Sequence, residues 1–248
     1  MAKGKSICVY GAKGGIGKST FVLNLAGVLS NLQKKVLILD LDLSNGTIAC
    51  ALNKNINRTI YNFSDDYNNN RFDDMDNYIT NYNEYIDFIA APKDPRQASR
   101  INYQYIDILI DKCIYKYDVI LIDTTQVLDE INVFALDKCD CIYFMTTNDP
   151  ISLKNLKNVL NIMQDNEFNN YKLILNNSVY PDKEYFSLYD IKTILGVNID
   201  YIISSDFHYK KQDPLTIDGD IITLKFNNFK DYKIFTLIAQ AIIGGDYE

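Results

Sequence analysis

Between a short apolar run and a helical pattern near the amino terminus lie ten residues, Gly11-Ala12-Lys13-Gly14-Gly15-Ile16-Gly17-Lys18-Ser19-Thr20. They constrain the fold more than any other stretch. Gly14, Gly15 and Gly17 carry no Cβ, so the backbone can curl there until its N–H groups converge on an anion. Lys18 supplies a compact charge for the outer phosphates of a nucleotide, and Ser19 a hydroxyl for Mg2+. The helix that begins there directs its positive end at the same point. Strand, loop and helix in succession predict a unit that holds the phosphates of a nucleotide at the end of the strand. The common form of this loop has glycine five places before Gly17, where this chain has Ala12. What remains is the variant Lys-Gly-Gly-x-Gly-Lys-Ser.

The 248 residues, 47% of them apolar, suffice for one large α/β domain with a full core, so residues 1–248 read as a single domain. A formal net charge of −7 disfavours nucleic-acid binding through a general basic surface and leaves only a local patch for it. No apolar run reaches the ~18 residues of a spanning helix, and Ile7 to Tyr10 is too short for a signal core, so a cytoplasmic location is expected. Cys8, Cys50, Cys113, Cys139 and Cys141 show no Cys-x-x-Cys spacing and read as reduced thiols, mostly buried. Cys139 and Cys141 straddle the start of a predicted strand, which places both side chains on one face. The single histidine, His208, reads as a surface residue.

Along the chain, Lys5 to Tyr10 reads as the first strand and Ser19 to Gln33 as its helix, with Phe21, Leu25 and Leu32 on one face. Val36 to Leu39 is a continuous apolar run, as in a strand covered on both faces, and ends in Asp40-Leu41-Asp42. Residues 53–85 are rich in Asn, Asp and Tyr and read as a variable surface segment of short helices and loops, mobile around 64–71. Ile86 to Ala90 is a strand running into an extended loop, Ala91-Pro92-Lys93-Asp94-Pro95, with a helix over 101–115 after it. Tyr117 to Asp123 is an apolar strand closing on a carboxylate, the form of a Walker B motif. Asp123 there either holds a water of the Mg2+ shell or caps the next helix. Strands at 141–146, 171–175 and 197–203 alternate with helices at 151–163 and 185–195, the second closed by Gly196, and 229–243 is the final helix. This order predicts an α/β fold, a doubly wound, mostly parallel central sheet with helices on both faces. The glycine loop, Asp40, Asp42 and Asp123 gather at the carboxyl ends of its strands.

Lys13, ahead of the glycine pair, is the residue by which the chain resembles the deviant Walker A ATPases, the family of ParA, MinD and the nitrogenase iron protein. The resemblance implies ATP and Mg2+ as cofactors, with Lys13, Gly14, Gly15, Ile16, Gly17, Lys18, Ser19 and Thr20 around the nucleotide. It also implies an ATP-dependent homodimer in which Lys13 reaches the phosphates held by the second copy; the alternative for Lys13 is a lysine that merely solvates the loop. Asp42 aligns with the family's residue that orients the attacking water, Ser19 with a direct Mg2+ ligand, and Asp40 and Asp123 with carboxylates of the outer Mg2+ shell. Lys13, Lys18 and Asp42 are thus the catalytic candidates, and turnover is expected to be slow. Asn176 aligns with an asparagine that reads the adenine ring, or else it forms a turn. Where many relatives carry Pro or Gly after the second carboxylate, this chain has Thr124-Thr125-Gln126.

The segments 39–43, 90–95, 127–131 and 148–155 look like the CpaE and TadZ branch, the ParA-like proteins of pilus assembly. That branch implies protein partners of a pilus, secretion or positioning system, which would recruit the chain to a membrane or cell pole. A ParA-like partition ATPase on nonspecific DNA, a MinD-like positioning ATPase, a bacterial tyrosine kinase and a non-hydrolysing nucleotide-dependent scaffold are the alternatives. The kinase is disfavoured because Tyr247 is the tail's one tyrosine. The final helix is apolar nearly all round, with Lys230 and Lys233 as its cations, so it is expected to pack on the sheet; peripheral contact with a membrane stays open.

Overall fold

The computed structural model describes residues 2–180, 185–207, 217–228 and 230–244. His208, Phe229 and Tyr247, on which three sequence expectations rest, lie outside the described residues. Within them, side-chain alternation organises the molecule. The strands β1 (Lys5–Tyr10), β2 (Val36–Asp40), β5 (Val119–Asp123) and β6 (Cys141–Thr146) are buried almost throughout. Cys8, Leu37, Ile120 and Phe144 point to one face, and Val9, Ile38, Leu121 and Tyr143 to the other. A strand covered twice has no polar face, which explains the continuous apolar runs.

With β3 (Thr80–Asn81), β4 (Ile86–Ile89), β7 (Tyr171–Asn176) and β8 (Tyr201–Ile203), these strands form one sheet in the order β3-β4-β2-β5-β1-β6-β7-β8. All neighbours are parallel except β3, which runs antiparallel to β4 at the edge. One face is covered by α4 (Tyr103–Cys113), α5 (Glu130–Lys138), α6 (Pro150–Asp165) and α7 (Leu188–Leu195). The other is covered by α1 (Lys18–Asn31) and α9 (Lys230–Gly244), with the short α2 (Ile48–Ala51) and α8 (Ile222–Lys225) beside them. The sheet is doubly wound, as expected, and the final helix packs inward through Phe235, Ile238 and Ile242. From β1 the chain moves to β2 on one side and later to β6 on the other, so the carboxyl end of β1 lies at a topological switch point.

Local chemistry moves several boundaries. The expected extended loop at 91–95 passes into a 3₁₀ turn over Pro95–Arg100, because Asp94 accepts a hydrogen bond from the N–H of Arg96 and Pro95 is already set for a first helical turn. α7 starts at Leu188 and not at 185, since Ser187 and Asp190 form a capping box there. Cys139 and Cys141 do not share a face: Cys139 is the C-cap of α5 and joins the cluster with Cys8, whereas Cys141 opens β6 towards α1. Strand alternation begins only at Cys141, so the spacing of two carries no meaning before it.

Residues 53–85 are more than a surface segment. In α3 (Ile60–Asn68), Ile60 and Phe63 turn into the core, where Phe63 meets Tyr78 edge to face at 5.4 Å between ring centres. Asp66 is buried and accepts hydrogen bonds from the Tyr78 hydroxyl at 2.8 Å and Arg71 Nε at 3.2 Å, and it pairs with Arg58. Within the segment expected to be mobile, Asp66 is thus a satisfied buried carboxylate that ties a satellite core together, while 68–71 are exposed, with a turn at 69–70. On the opposite face, α1 and α8 touch through Gly27. A Cβ there would stand 2.2 Å from Thr223 Oγ1 and 2.8 Å from Ile221 Cγ2. Asn24 fixes the same contact by accepting from the Thr223 N–H at 3.2 Å while its own carbonyl accepts from the Thr223 hydroxyl at 2.8 Å. Gly27→Ala is expected to lower stability by about 1–3 kcal/mol through overpacking, despite alanine's better helix propensity. Urea denaturation of the two proteins checks this; an unchanged or higher midpoint would show that α8 yields freely.

Candidate functional site

β1 ends at Tyr10, and α1 begins at Lys18 after Gly17, whose φ of 90° is left-handed. No side chain caps α1 and its first turn holds no acidic residue. The positive end of that helix therefore faces the cleft with no carboxylate of its own first turn competing for an anion. Gly17 is required twice over, since a Cβ on it would also lie 2.7 Å from Asn176 Nδ2. Ile16 is fully buried and anchors the loop from below.

Above the loop opens a cleft of about 390 Å³, lined among others by Gly14, Lys18, Ser19, Asp42, Thr47 and Gln126. A larger hollow, about 560 Å³, lies at the opposite end of the strands beside Lys3, Lys5, Lys34 and Lys35, but it has neither a glycine nest nor buried carboxylates. The Lys18 ammonium is buried and forms no ion pair among the described residues. Burial lowers its pKa, opposed by the charges of Asp123 and Asp42.

Asp40 and Asp123 stand in register on adjacent strands and are both fully buried. Asp40 accepts from the N–H groups of Asp42 and Ile48, each at 3.2 Å, and so folds the loop after β2 around itself. Its pKa is raised by burial and then by the Asp123 charge, against those two bonds. Among the described residues, neither carboxylate oxygen of Asp123 has a hydrogen-bond partner of good geometry, the Ser19 hydroxyl being the polar group beside it. Burial pushes Asp123 up to about 6, opposed by the nearby Ser19 hydroxyl and by Lys18. Asp123 caps no helix, since α5 is capped by Asp129. An orphaned buried carboxylate next to a second one, with the Ser19 hydroxyl in front and Thr47 donating to it at 3.1 Å, is an oxygen set that fits Mg2+. Among the described residues no three His, Cys, Asp or Glu side chains converge into a metal cage. Such a set suits an ion that shares its shell with phosphate and water.

The other candidates fall around this centre. Asp42 is half-buried at the cleft and accepts from Asn45 N–H at 3.2 Å. Lys13 does not reach into the cleft of its own chain. Its ammonium pairs with Asp149 at 3.1 Å and lies 5.0 Å from the centre of the Tyr180 ring. Burial lowers its pKa, but the contacts with Asp149 and Tyr180 outweigh this, and the net direction is upward. Asn176 donates to the Ile16 carbonyl at 2.9 Å and accepts from the N–H and hydroxyl of Ser178 at 3.0 and 2.6 Å. In this state its amide braces the glycine loop and closes a local turn. Thr47, Asp149 and Tyr180 were not singled out as site residues by the sequence reading, and Gln126 entered it only as part of the departure at 124–126. Only Asp149 had a local signal, an Asp before Pro150 at a helix start.

A glycine nest at a helix start, a buried lysine and two strand-end carboxylates define a P-loop nucleoside triphosphatase. The family model described as AAA domain matches residues 4–175, and the chain belongs to that family. It is similar to the putative septum site-determining protein MinD of Emiliania huxleyi, 23% identical over 223 residues, which make up 87% of this chain and 81% of that protein. The solved ParA family ATPase from Chlorobium tepidum superposes with a TM-score of 0.84 at 22% identity, over 96% of this chain and 99% of that one. The septum site-determining protein MinD of Pyrococcus horikoshii, solved with Mg-ADP, does so with a TM-score of 0.79 at 20% identity, over 98% of each chain. The fold is that of the ParA and MinD ATPases.

The raised Asp123 pKa fixes the sign of a pH effect. A carboxylate protonated more readily in the fold than in the open chain costs stability as pH rises from about 4 to about 6, and little changes above that. The cost is on the order of 3 kcal/mol, and it eases further if Asp40 no longer faces a charge. Asp123→Asn, without nucleotide or Mg2+, is therefore expected to gain stability over wild type by about 1–3 kcal/mol more at pH 7 than at pH 4.5. Chemical denaturation at both pH values measures it; a difference independent of pH would contradict the buried-charge account.

Proposed function

We propose that the chain is an ATP-dependent dimerising switch that hydrolyses Mg-ATP slowly and positions or recruits protein partners at a cellular site. The observation that carries this is the pairing of a complete phosphate cradle with a signature lysine held outside it. The cradle needs only Gly14 to Thr20, Lys18 and the two carboxylates, so Lys13 is left for another role. Lys13 is tethered at the rim by Asp149, from which it can be released towards phosphates held by a second copy. In that complex the N–H groups of the loop and Lys18 bind the phosphates, Lys13 of the other copy adds charge to them, and Asp42 orients the attacking water. Mg2+ would be held by Ser19 directly and by Asp40 and Asp123 through water, and when bound it supplies neutralisation of phosphate charge. Asn176 keeps the loop in place and borders the position for adenine.

The relatives' names support a positioning or partition role, since they include septum site-determining and ParA family proteins. The resemblance of 90–95 and 148–155 to the CpaE and TadZ branch favours a pilus or secretion apparatus as the system served. No helix among the described residues is long and apolar enough to cross a membrane, so recruitment would come through partners or peripheral contact.

Light scattering with Mg-ATP and with Mg-ADP tests the switch on wild type, Lys13→Ala and Asp42→Ala. The expected result is a wild-type dimer only with ATP, a monomer for Lys13→Ala in both nucleotides, and an ATP dimer for Asp42→Ala that persists because hydrolysis falls on the order of a hundredfold or more. Masses indifferent to nucleotide in all three proteins would leave a constitutive nucleotide-binding scaffold.

A further inference from the structure

The segment after β5 carries a group that neither the glycine loop nor the carboxylates account for. Its backbone is pinned on two sides. The Thr124 hydroxyl donates to the Val9 carbonyl at 2.8 Å, and the Tyr10 hydroxyl donates to the Gln126 carbonyl at 3.0 Å. Next to it the Val127 N–H donates to Thr125 Oγ1 at 3.0 Å, and Asn132 Nδ2 donates to the same oxygen at 3.1 Å. From this fixed backbone the Gln126 side chain extends over the start of the glycine nest. The atoms nearest to a Cβ built on Gly14 are its Oε1 at 3.4 Å, Cδ at 3.7 Å and Nε2 at 3.9 Å. Gln126 lines the same cleft as Lys18 and Asp42, yet its carboxamide makes no hydrogen bond within the described residues.

A primary carboxamide offers a donor and an acceptor on one rigid plane. A water that attacks a phosphoryl group has two matching needs: its O–H must be accepted and its position held relative to the phosphate oxygens. We infer that Gln126 is a second water-positioning residue for ATP hydrolysis, accepting from the attacking water through Oε1 and donating through Nε2 to a γ-phosphate oxygen, opposite Asp42. This rests on the ATPase reading above. In the step it serves, the water oxygen bonds to the γ-phosphorus as the bond from that phosphorus to the β–γ bridging oxygen breaks. The bridging oxygen leaves with ADP, and a water proton passes to the phosphate formed. The hydrogen-bonded Thr124-Thr125 turn, with Thr124 buried, holds the backbone of Gln126, so a flexible side chain is presented from a fixed base.

The test compares wild type, Gln126→Ala and Gln126→Met in single-turnover hydrolysis of Mg-ATP, in affinity for a fluorescent ATP analogue, and in the lifetime of the ATP-bound dimer. Methionine keeps the length and the packing over Gly14 but has no amide. Both variants are expected to slow hydrolysis at least tenfold, with nucleotide affinity within twofold of wild type and a dimer lifetime lengthened in proportion. A wild-type rate in Gln126→Met would show that the side chain only packs, and slow turnover traced wholly to weaker nucleotide binding would show that it only cradles phosphate; either overturns the inference and leaves the ATPase reading intact. A wild-type protein that binds Mg-ATP without hydrolysing it overturns both.

Discussion

Two buried carboxylates in register on neighbouring strands govern much of this molecule. Asp40 and Asp123 sit where β2 and β5 end, and the parallel pairing of those strands brings them side by side in a dry environment. Asp40 is compensated by two backbone N–H groups, whereas Asp123 has only the nearby Ser19 hydroxyl and the Lys18 charge to oppose its burial. The charge of Lys18 acts on Asp123, and Lys18 is itself desolvated with no ion pair among the described residues. The protein alone therefore leaves both signs of charge under-satisfied at one point. A ligand that brings phosphate to Lys18 and a cation to the carboxylates satisfies both, so binding energy here is also folding energy.

The loop between these charges is held from one half of the sheet and faces the other. Asn176 at the end of β7 donates to the Ile16 carbonyl, and Asn155 on α6 donates to the Ala12 carbonyl at 3.2 Å. These contacts come from the β6 to β8 half and do not involve the carboxylates. The segments that line the other side of the cleft, 40–48 and 124–126, come from the β2 and β5 half. Asp149 belongs to the holding half as well. It is fixed as the N-cap of α6 by the N–H groups of Ile151 and Ser152 and by the Thr147 hydroxyl at 2.6 Å. Lys13 is thus parked on the rigid side of its own site.

How much of this could be read from the chain depends on whether the signal was local. The glycine loop, the strand-end aspartates and the covered strands were legible because backbone freedom, helix polarity and side-chain alternation act over a few residues. The same rule explains the failures. Cys139 and Cys141 looked like one face because alternation was assumed to begin before the strand did. Ile60, Phe63 and Tyr67 carry the helical period that seats α3, but Asn and Asp between them diluted it, and the charge that ties the segment down joins Asp66 to residues before and after it. Thr47 and Tyr180 reach the site only through tertiary approach, and nothing beside them in the chain announces it; Gln126 follows closely on Asp123, but nothing in the chain shows that its side chain lies beside Gly14.

The division between a holding half and a sensing half also bears on why the chain departs from the usual switch sequence. Pro or Gly after the second carboxylate would shape the turn by its own dihedral limits or by their absence. Here Thr124 and Thr125 shape it by hydrogen bonds, to the Val9 carbonyl on one side and to Asn132 and Val127 on the other. The Tyr10 hydroxyl adds a third tie, from the strand that leads into the glycine loop. The turn is therefore coupled to β1 and to α5 at once. A displacement of Gln126 by a bound phosphate would strain contacts at the root of α5, whose Val133 lies exposed at the surface. The turn is thus shaped by hydrogen bonds in place of an intrinsic backbone constraint, and a constraint of that kind can be broken and remade.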